Sequence, residues 1–278
     1  MWLNIIIIQL LTHVPIGATK VDPTALSQSE QQVFNSVRQD TFCSCTSAMT
    51  LAGCSALRPD CQIATHLDQI IFRAIQAGNT QDELLSFLPE HVLGPFCKAP
   101  QNVRPKKAPN SKGTLNGRVK IYEFADFRCG HCKKAVEKVK TALKSYPKQV
   151  EFSFIPFPLN DHPESLAAAE AVMAAGEQNK FWEMHDALFK NQKAGFRKTE
   201  IDKLARKLHL NLKSFNTALA SGKYKRRLEE FKKLGTDLGV RGTPAFFVNG
   251  RSFRPVPGVL PLTKRIAMEL DRNEDQCQ

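Results

Sequence analysis

The residues of this 278-residue chain best suited to chemistry are two cysteines, Cys129 and Cys132, in the stretch EFADFRCGHCKKAVEKV (123–139). They bracket Gly130 and His131 where a strand-like run turns helical. Cysteines at this spacing have three uses. As half of a zinc site they need two more ligands, from distant cysteines or from His131 inside the loop. As a structural staple they close a loop too small to constrain the unfolded chain much. As a redox pair they gain from their position. A cysteine at a helix start faces free backbone N–H groups and the positive end of the helix dipole, which favour thiolate over thiol. His131 and the cations Arg128 and Lys133 push the same way. The redox use is the best supported. Cys129 is then the nucleophile, and Cys132, one turn inside the helix, attacks the mixed disulfide that Cys129 forms.

The elements that must hold this pair can be read from periodicity. RVKIYEFADF reads as a strand with an acid, Glu123, in its core. A helix follows over about 129–146, then a second strand at QVEFSFIPFPL. Residues 163–239 are helical in pattern, with ESLAAAEAVMAAG closed by a glycine cap at Gly176. Phe181, Trp182, Met184, Leu188 and Phe189 fall at helical spacing and read as core, and His185 beside them reads as a satisfied polar residue. Strand returns at TPAFFVNGRSF, where Asn249–Gly250 between apolar runs signals a hairpin. A last helix covers about 261–271. The order β-α-β, helical block, β-β-α defines an α/β domain over 118–278, with a mixed sheet and an inserted helical layer at 163–239.

At this point the motifs carry a resemblance. YEFADFRCGHCKKA, GVRGTPAFFVNG and the helical FWEMHDALF together resemble the DsbA group of thioredoxin-fold thiol–disulfide oxidoreductases, in its exported bacterial branch. The likeness runs from about Val119 to the end. It implies a thioredoxin fold with a helical insertion, Cys129 as exposed nucleophile and Cys132 as its buried partner. It also implies that Pro244 is cis after Thr243, placing backbone beside the dithiol to pair with an extended substrate segment. Glu123, six residues before Cys129, matches the strand acid that moves a proton to or from the resolving thiol. Such an acid needs burial to raise its pKa; on an exposed strand face it would be an ordinary carboxylate. The dipeptide Gly130–His131 departs from the Pro-His of strong oxidants in the group and matches the isomerases of the superfamily. His131 argues for an oxidising pair, and the missing proline leaves its strength open.

Before this domain, residues 24–97 form a small all-α unit rich in cysteine. SQSE (27–30) and TQDE (80–83) are capping boxes, and CQIATHLDQIIFRAIQAG puts Ile63, Leu67, Ile70, Ile71 and Ala74 on one helical face before Gly78. The spacings of Cys43, Cys45, Cys54 and Cys61 match no common zinc pattern, and with Cys97 and Cys277 they are candidates for one or two structural disulfides of open pairing. IATHLDQIIFRAIQAGNTQDELLSFLPEH weakly resembles the helical domain of CcmH-type proteins, which handle the haem-binding thiols of apocytochrome c. Their CxxC is replaced by Cys43-x-Cys45, a second dithiol that could relay electrons to the first. Residues 98–117, rich in Pro, Lys, Asn and Gly, read as a linker.

The start, MWLNIIIIQLLTHVPIGA, has an apolar core and small residues at 17–18, the pattern of a signal peptide, with an uncleaved anchor as the other reading. Export into an oxidising space, the periplasm in a bacterium, suits eight cysteines. Net charge is +12, with 34 Lys/Arg against 19 Asp/Glu in 100–278. These lysines spread over polar helix faces without interleaved aromatics, so nucleic acid is not an expected partner. The expected activity is exchange of disulfides with protein substrates. No metal or organic cofactor is required, and a membrane redox partner recycles the pair. The alternatives are a reductase or isomerase serving cytochrome c maturation, and a non-catalytic chaperone or metal-binding protein.

Overall fold

The structure, a computed structural model, describes residues 20–41, 50–57, 61–89, 98–105, 110–159, 164–255 and 261–272. The leader and Cys43, Cys45, Cys97 and Cys277 lie outside these residues. The chain divides into two compact units, Met1–Pro100 with Arg251–Gln278, and Gln101–Gly250. These cuts differ from the sequence-based ones at 97/98 and 117/118.

In the first unit, α1 (Gln28–Asp40), α2 (Leu51–Leu57), α3 (Gln62–Gln76) and α4 (Gln81–Phe87) form an all-helical layer. Both capping boxes are closed: Ser27 N donates to Glu30 Oε2 at 2.8 Å and Thr80 N to Glu83 Oε2 at 2.8 Å, with the hydroxyls accepting in return. The apolar face of α3 is buried along Ile63, Leu67, Ile70, Ile71 and Ala74. Gly78 then takes the left-handed conformation, φ +85°, that releases the chain. Asp68 on α3 accepts from Arg38 of α1 at 2.7 Å and from Ser55 of α2 at 2.8 Å, tying three helices at one carboxylate. Cys54 and Cys61 are buried and disulfide-bonded.

In the second unit the strands lie in the order β1-β3-β2-β4. They are β1 (Asn110–Gly113), β2 (Val119–Ala125), β3 (Val150–Pro156) and β4 (Ala245–Val248). β2 and β3 are parallel, joined by the crossover helix α5 (Gly130–Ser145), while β4 runs antiparallel to β2 and β1 antiparallel to β3. Apolar β2 and β3 are the two central strands, as strands covered on both faces must be. The helical block supplies α6 (Ser165–Gly176), α7 (Phe181–Lys190), α8 (Lys198–Lys207), α9 (Leu212–Ala220) and α10 (Lys225–Asp237). At the Asn249–Gly250 turn both residues have positive φ, +47° and +78°. Asn249 N donates to Lys120 O at 2.8 Å and its Oδ1 accepts from Lys120 N at 2.8 Å, fixing the end of β4 to β2. Beyond it, β5 (Arg251–Phe253) and α11 (Leu262–Leu270) belong to the first unit, where α11 packs on α3.

Two local expectations are corrected. Residues 110–113 are an edge strand within the stretch read as linker. Their composition, Asn-Ser-Lys-Gly, is polar because the strand is held by main-chain pairing from Asn110–Phe154 to Gly113–Glu151 rather than by buried side chains. Gly176 is no left-handed cap either. It is the last residue of α6, and Asn179 takes the positive φ of 56°. A Cβ at Gly176 would lie 3.4 Å from the Phe181 ring, so the small residue serves the close approach of α7.

Candidate active site

Cys129 is the N-cap of α5, with extended backbone (φ −73°, ψ 120°) that turns its sulfur toward the helix start. It is 8% exposed, whereas Cys132 is wholly buried, and both thiols are free. The Cys129 thiol donates to the Thr243 carbonyl at 3.2 Å. The Thr243–Pro244 peptide bond is cis, just before β4. The loop after β2 and the loop before β4 thus meet at one sulfur.

The Cys129 thiol is held down at about 5. The largest cause is the hydrogen bond from the Cys132 thiol; the Thr243 hydroxyl and the backbone N–H groups of Cys132 and His131 add to it, against the opposing effect of burial. The Thr243 hydroxyl is buried without a partner among the described residues, so it is free to turn to the thiolate. Burial and the same bond to Cys129 push the Cys132 thiol well up. The two sulfurs are therefore polarised: one is ionised at neutral pH, and the other keeps its proton until something removes it.

Glu123, on β2 in register with Phe154 of β3, is 3% exposed. Burial, and then the charge at Cys129, raise its carboxyl to about 8, so it is a buried neutral acid at pH 7. Its charge also acts on Cys132. The His131 side chain is exposed and contributes through its backbone N–H. Arg128 turns away, its Nη1 donating to Gln192 O at 2.9 Å. The Cys132 thiol first, then the Thr243 hydroxyl and the helix-start N–H groups, supply the stabilisation.

Two residues that sequence reasoning passed over hold the loop. Asp126 is 1% exposed and accepts from Arg128 N, Leu159 N and Ser165 Oγ, each at 2.7 Å. A carboxylate at the end of an apolar strand, three residues before the first cysteine, was a signal available in FADF. Gln192 follows α7 and donates from Nε2 to Phe127 O at 2.7 Å and Cys129 O at 2.9 Å. Nothing local marked it, because its partners lie 63 and 65 residues away. His185 is buried in a cluster with Phe127, Phe154, Trp182 and Phe189, its Nδ1 2.8 Å from Asp186 Oδ1.

A crossover-linked mixed sheet, a dithiol at a helix start and a second loop against the sulfur define the thioredoxin-like class. The family model for the DSBA-like thioredoxin domain matches residues 120–265, and the chain belongs to that family. A thioredoxin-like oxidoreductase from Silicibacter pomeroyi superposes with a TM-score of 0.51 at 25% identity, over 59% of this chain and 90% of that one. BdbD from Bacillus subtilis has the same fold, with a TM-score of 0.54 at 20% identity over 63% of this chain and all of that one. Among curated relatives, "Probable disulfide bond formation protein D" of Bacillus anthracis is 27% identical over 52% of this chain and 71% of its own length. A Salinispora tropica protein named "Na(+)/H(+) antiporter NhaA 3" is 38% identical over half of this chain but only 21% of its own length. The chain thus spans about a fifth of the first curated relatives it matches.

Proposed function

We propose that this protein is an exported thiol–disulfide oxidoreductase that oxidises thiols of protein substrates through the Cys129–Cys132 pair. A substrate thiolate attacks Cys129 of the oxidised pair and releases Cys132, which takes up a proton. The second substrate thiolate then attacks the substrate sulfur of the mixed disulfide and releases the Cys129 thiolate. Two electrons pass to the protein and a disulfide is left in the substrate. A membrane redox partner then reoxidises the pair. The backbone at Thr243–Pro244, against the Cys129 sulfur, is suited to align an extended substrate segment. No metal or organic cofactor takes part.

The observation that carries the direction is the Cys129 thiol at about 5. Stabilising the thiolate stabilises the reduced form, and a stable reduced form makes the disulfide an oxidant. Export is supported by the apolar leader and by disulfide-bonded Cys54 and Cys61 in the same chain. Among the described residues no helix is long and apolar enough to cross a membrane. Gly130 in place of proline favours a second reading, a milder isomerase or reductase serving cytochrome c maturation.

The test is the reduction potential of the pair, by equilibration in graded glutathione buffers and mass counting of trapped thiols at Cys129 and Cys132. A value near about −120 mV is expected, with thiolate absorbance titrating near pH 5. A value near about −270 mV would reverse the direction and put the cytochrome c reading first.

A further inference from the structure

The oxidoreductase reading leaves a physical problem at Cys132. Its thiol must lose a proton each time it closes the disulfide and regain one each time the disulfide opens, yet it is wholly buried. Glu123 is the acid nearest in role, but at 3% exposure it cannot trade protons with solvent directly. A small cavity of about 20 Å³ lies against it, with room for about one water. Its apolar walls are Val136, Val139, Leu143 and Phe152, and its polar groups are Glu123, His185, Asp186, Lys112 and Lys140.

These polar groups run from inside to outside. Glu123 and Phe154 are register partners on adjacent strands, and the Phe154 ring stands edge-on to the His185 ring with 4.6 Å between centroids. His185 is 5% exposed, while the Asp186 side chain, 2.8 Å from His185 Nδ1, is 43% exposed. Lys140 on α5 and Lys112 on β1 stand at the same cavity with exposed or half-exposed side chains. Among the described residues, Glu123, Asp186, Lys112 and Lys140 are the charged or titratable groups that line this cavity together with His185. The rest of its surroundings are aromatic or aliphatic.

We propose that His185 and Asp186 form the proton path between the buried Glu123–Cys132 pair and solvent. When Cys132 resolves a mixed disulfide, its S–H bond breaks, its sulfur bonds to Cys129, and the other sulfur departs as a thiolate. The proton passes to the Glu123 carboxylate, then through one cavity water to His185 Nε2. The Nδ1 proton of His185 passes to Asp186 and on to solvent. That leaves the imidazole neutral but in its other tautomer. When the disulfide opens again, Cys132 takes a proton back by the reverse route, which restores the first tautomer. One proton out and one in per catalytic cycle reset the path without rotation of a ring packed among four aromatic side chains. Burial lowers the basicity of His185, so imidazolium is a transient rather than a trap. Asp186 opposes that shift from the same hydrogen bond.

The test uses the full chain, reduced and mixed with oxidised glutathione. Acid quenching and mass analysis separate two steps, glutathione capture by Cys129 and its release by Cys132. His185→Phe keeps an aromatic ring in the cluster, and Asp186→Asn alters only the half-exposed end of the path. Both are expected to slow release by about tenfold at neutral pH, less than loss of a general base itself, while the capture rate and the Cys129 titration stay those of the parent. Release in the parent rises with pH through a midpoint no higher than about 8, the value at Glu123 beside the Cys129 thiolate, and levels off above that midpoint. In the variants it becomes dependent on buffer concentration, which a merely structural defect would not cause. Release rates that coincide with the parent across the neutral range overturn the proton path and leave the oxidoreductase reading standing. A parent that never captures glutathione at Cys129 overturns both.

Discussion

At the scale of single residues, the site depends on which groups are charged when. Cys129 is ionised because N–H, S–H and O–H donors converge on it, and Glu123 is neutral because almost nothing solvates it. The second fact has a consequence for stability. In the unfolded chain Glu123 ionises near 4.5, whereas in the folded reduced protein it holds its proton until about 8. The stability it allows is complete below pH 4.5 and is lost as pH rises toward 8. Glu123→Gln removes that loss. The variant is expected to gain nothing below pH 4.5 and about 3 kcal/mol at pH 7, at about 1.36 kcal/mol per pH unit. Urea midpoints at several pH values measure this, and a pH-independent offset between the proteins would mean that the folded carboxyl is already ionised.

At the scale of elements, the sheet positions the dithiol only if the helix behind it comes close. Gly235 on α10 faces the Phe157 and Phe124 rings, and a Cβ there would lie 2.5 Å from Phe157. Gly235→Ala improves helix propensity by about 1 kcal/mol yet must displace a packed ring. The expected net effect is a loss of about 1–3 kcal/mol, read as a lower urea midpoint with an unchanged slope. An unchanged or higher midpoint would mean that Phe157 repacks freely. The same contrast between local and distant causes separates what could be read in advance from what could not. Cys129 and Cys132 are neighbours on one helical turn, so spacing alone showed how they could cooperate. β2, β3, α5 and the Asn249–Gly250 turn carried apolar periodicity or turn chemistry of their own. Strand β1 did not, because an edge strand paired through its main chain needs no apolar signature. Gln192 and His185 reach the site only through the tertiary arrangement of the helical block, and no local pattern distinguishes them from surface or core residues.

At the scale of the whole molecule, the described residues include two kinds of cysteine. Cys129 and Cys132 are free and poised at a helix start; Cys54 and Cys61 are disulfide-bonded, 0% and 3% exposed, inside a helical unit. A buried sulfur in apolar surroundings is a poor nucleophile and a poor target, so these bonds belong to stability rather than to turnover. Replacing Cys54 and Cys61 by Ser removes native cross-links of the first unit. The expected cost is about 2–5 kcal/mol, seen as earlier melting of its helices. The thiolate titration and the reduction potential at Cys129 should not move, because every group that sets them lies between Glu123 and Thr243 in the second unit. Calorimetry and the glutathione titration, run on the same preparation, separate these outcomes. If the potential shifts along with the melting transition, the first unit takes part in electron transfer. The dithiol relay at Cys43 and Cys45 would then be the first place to look.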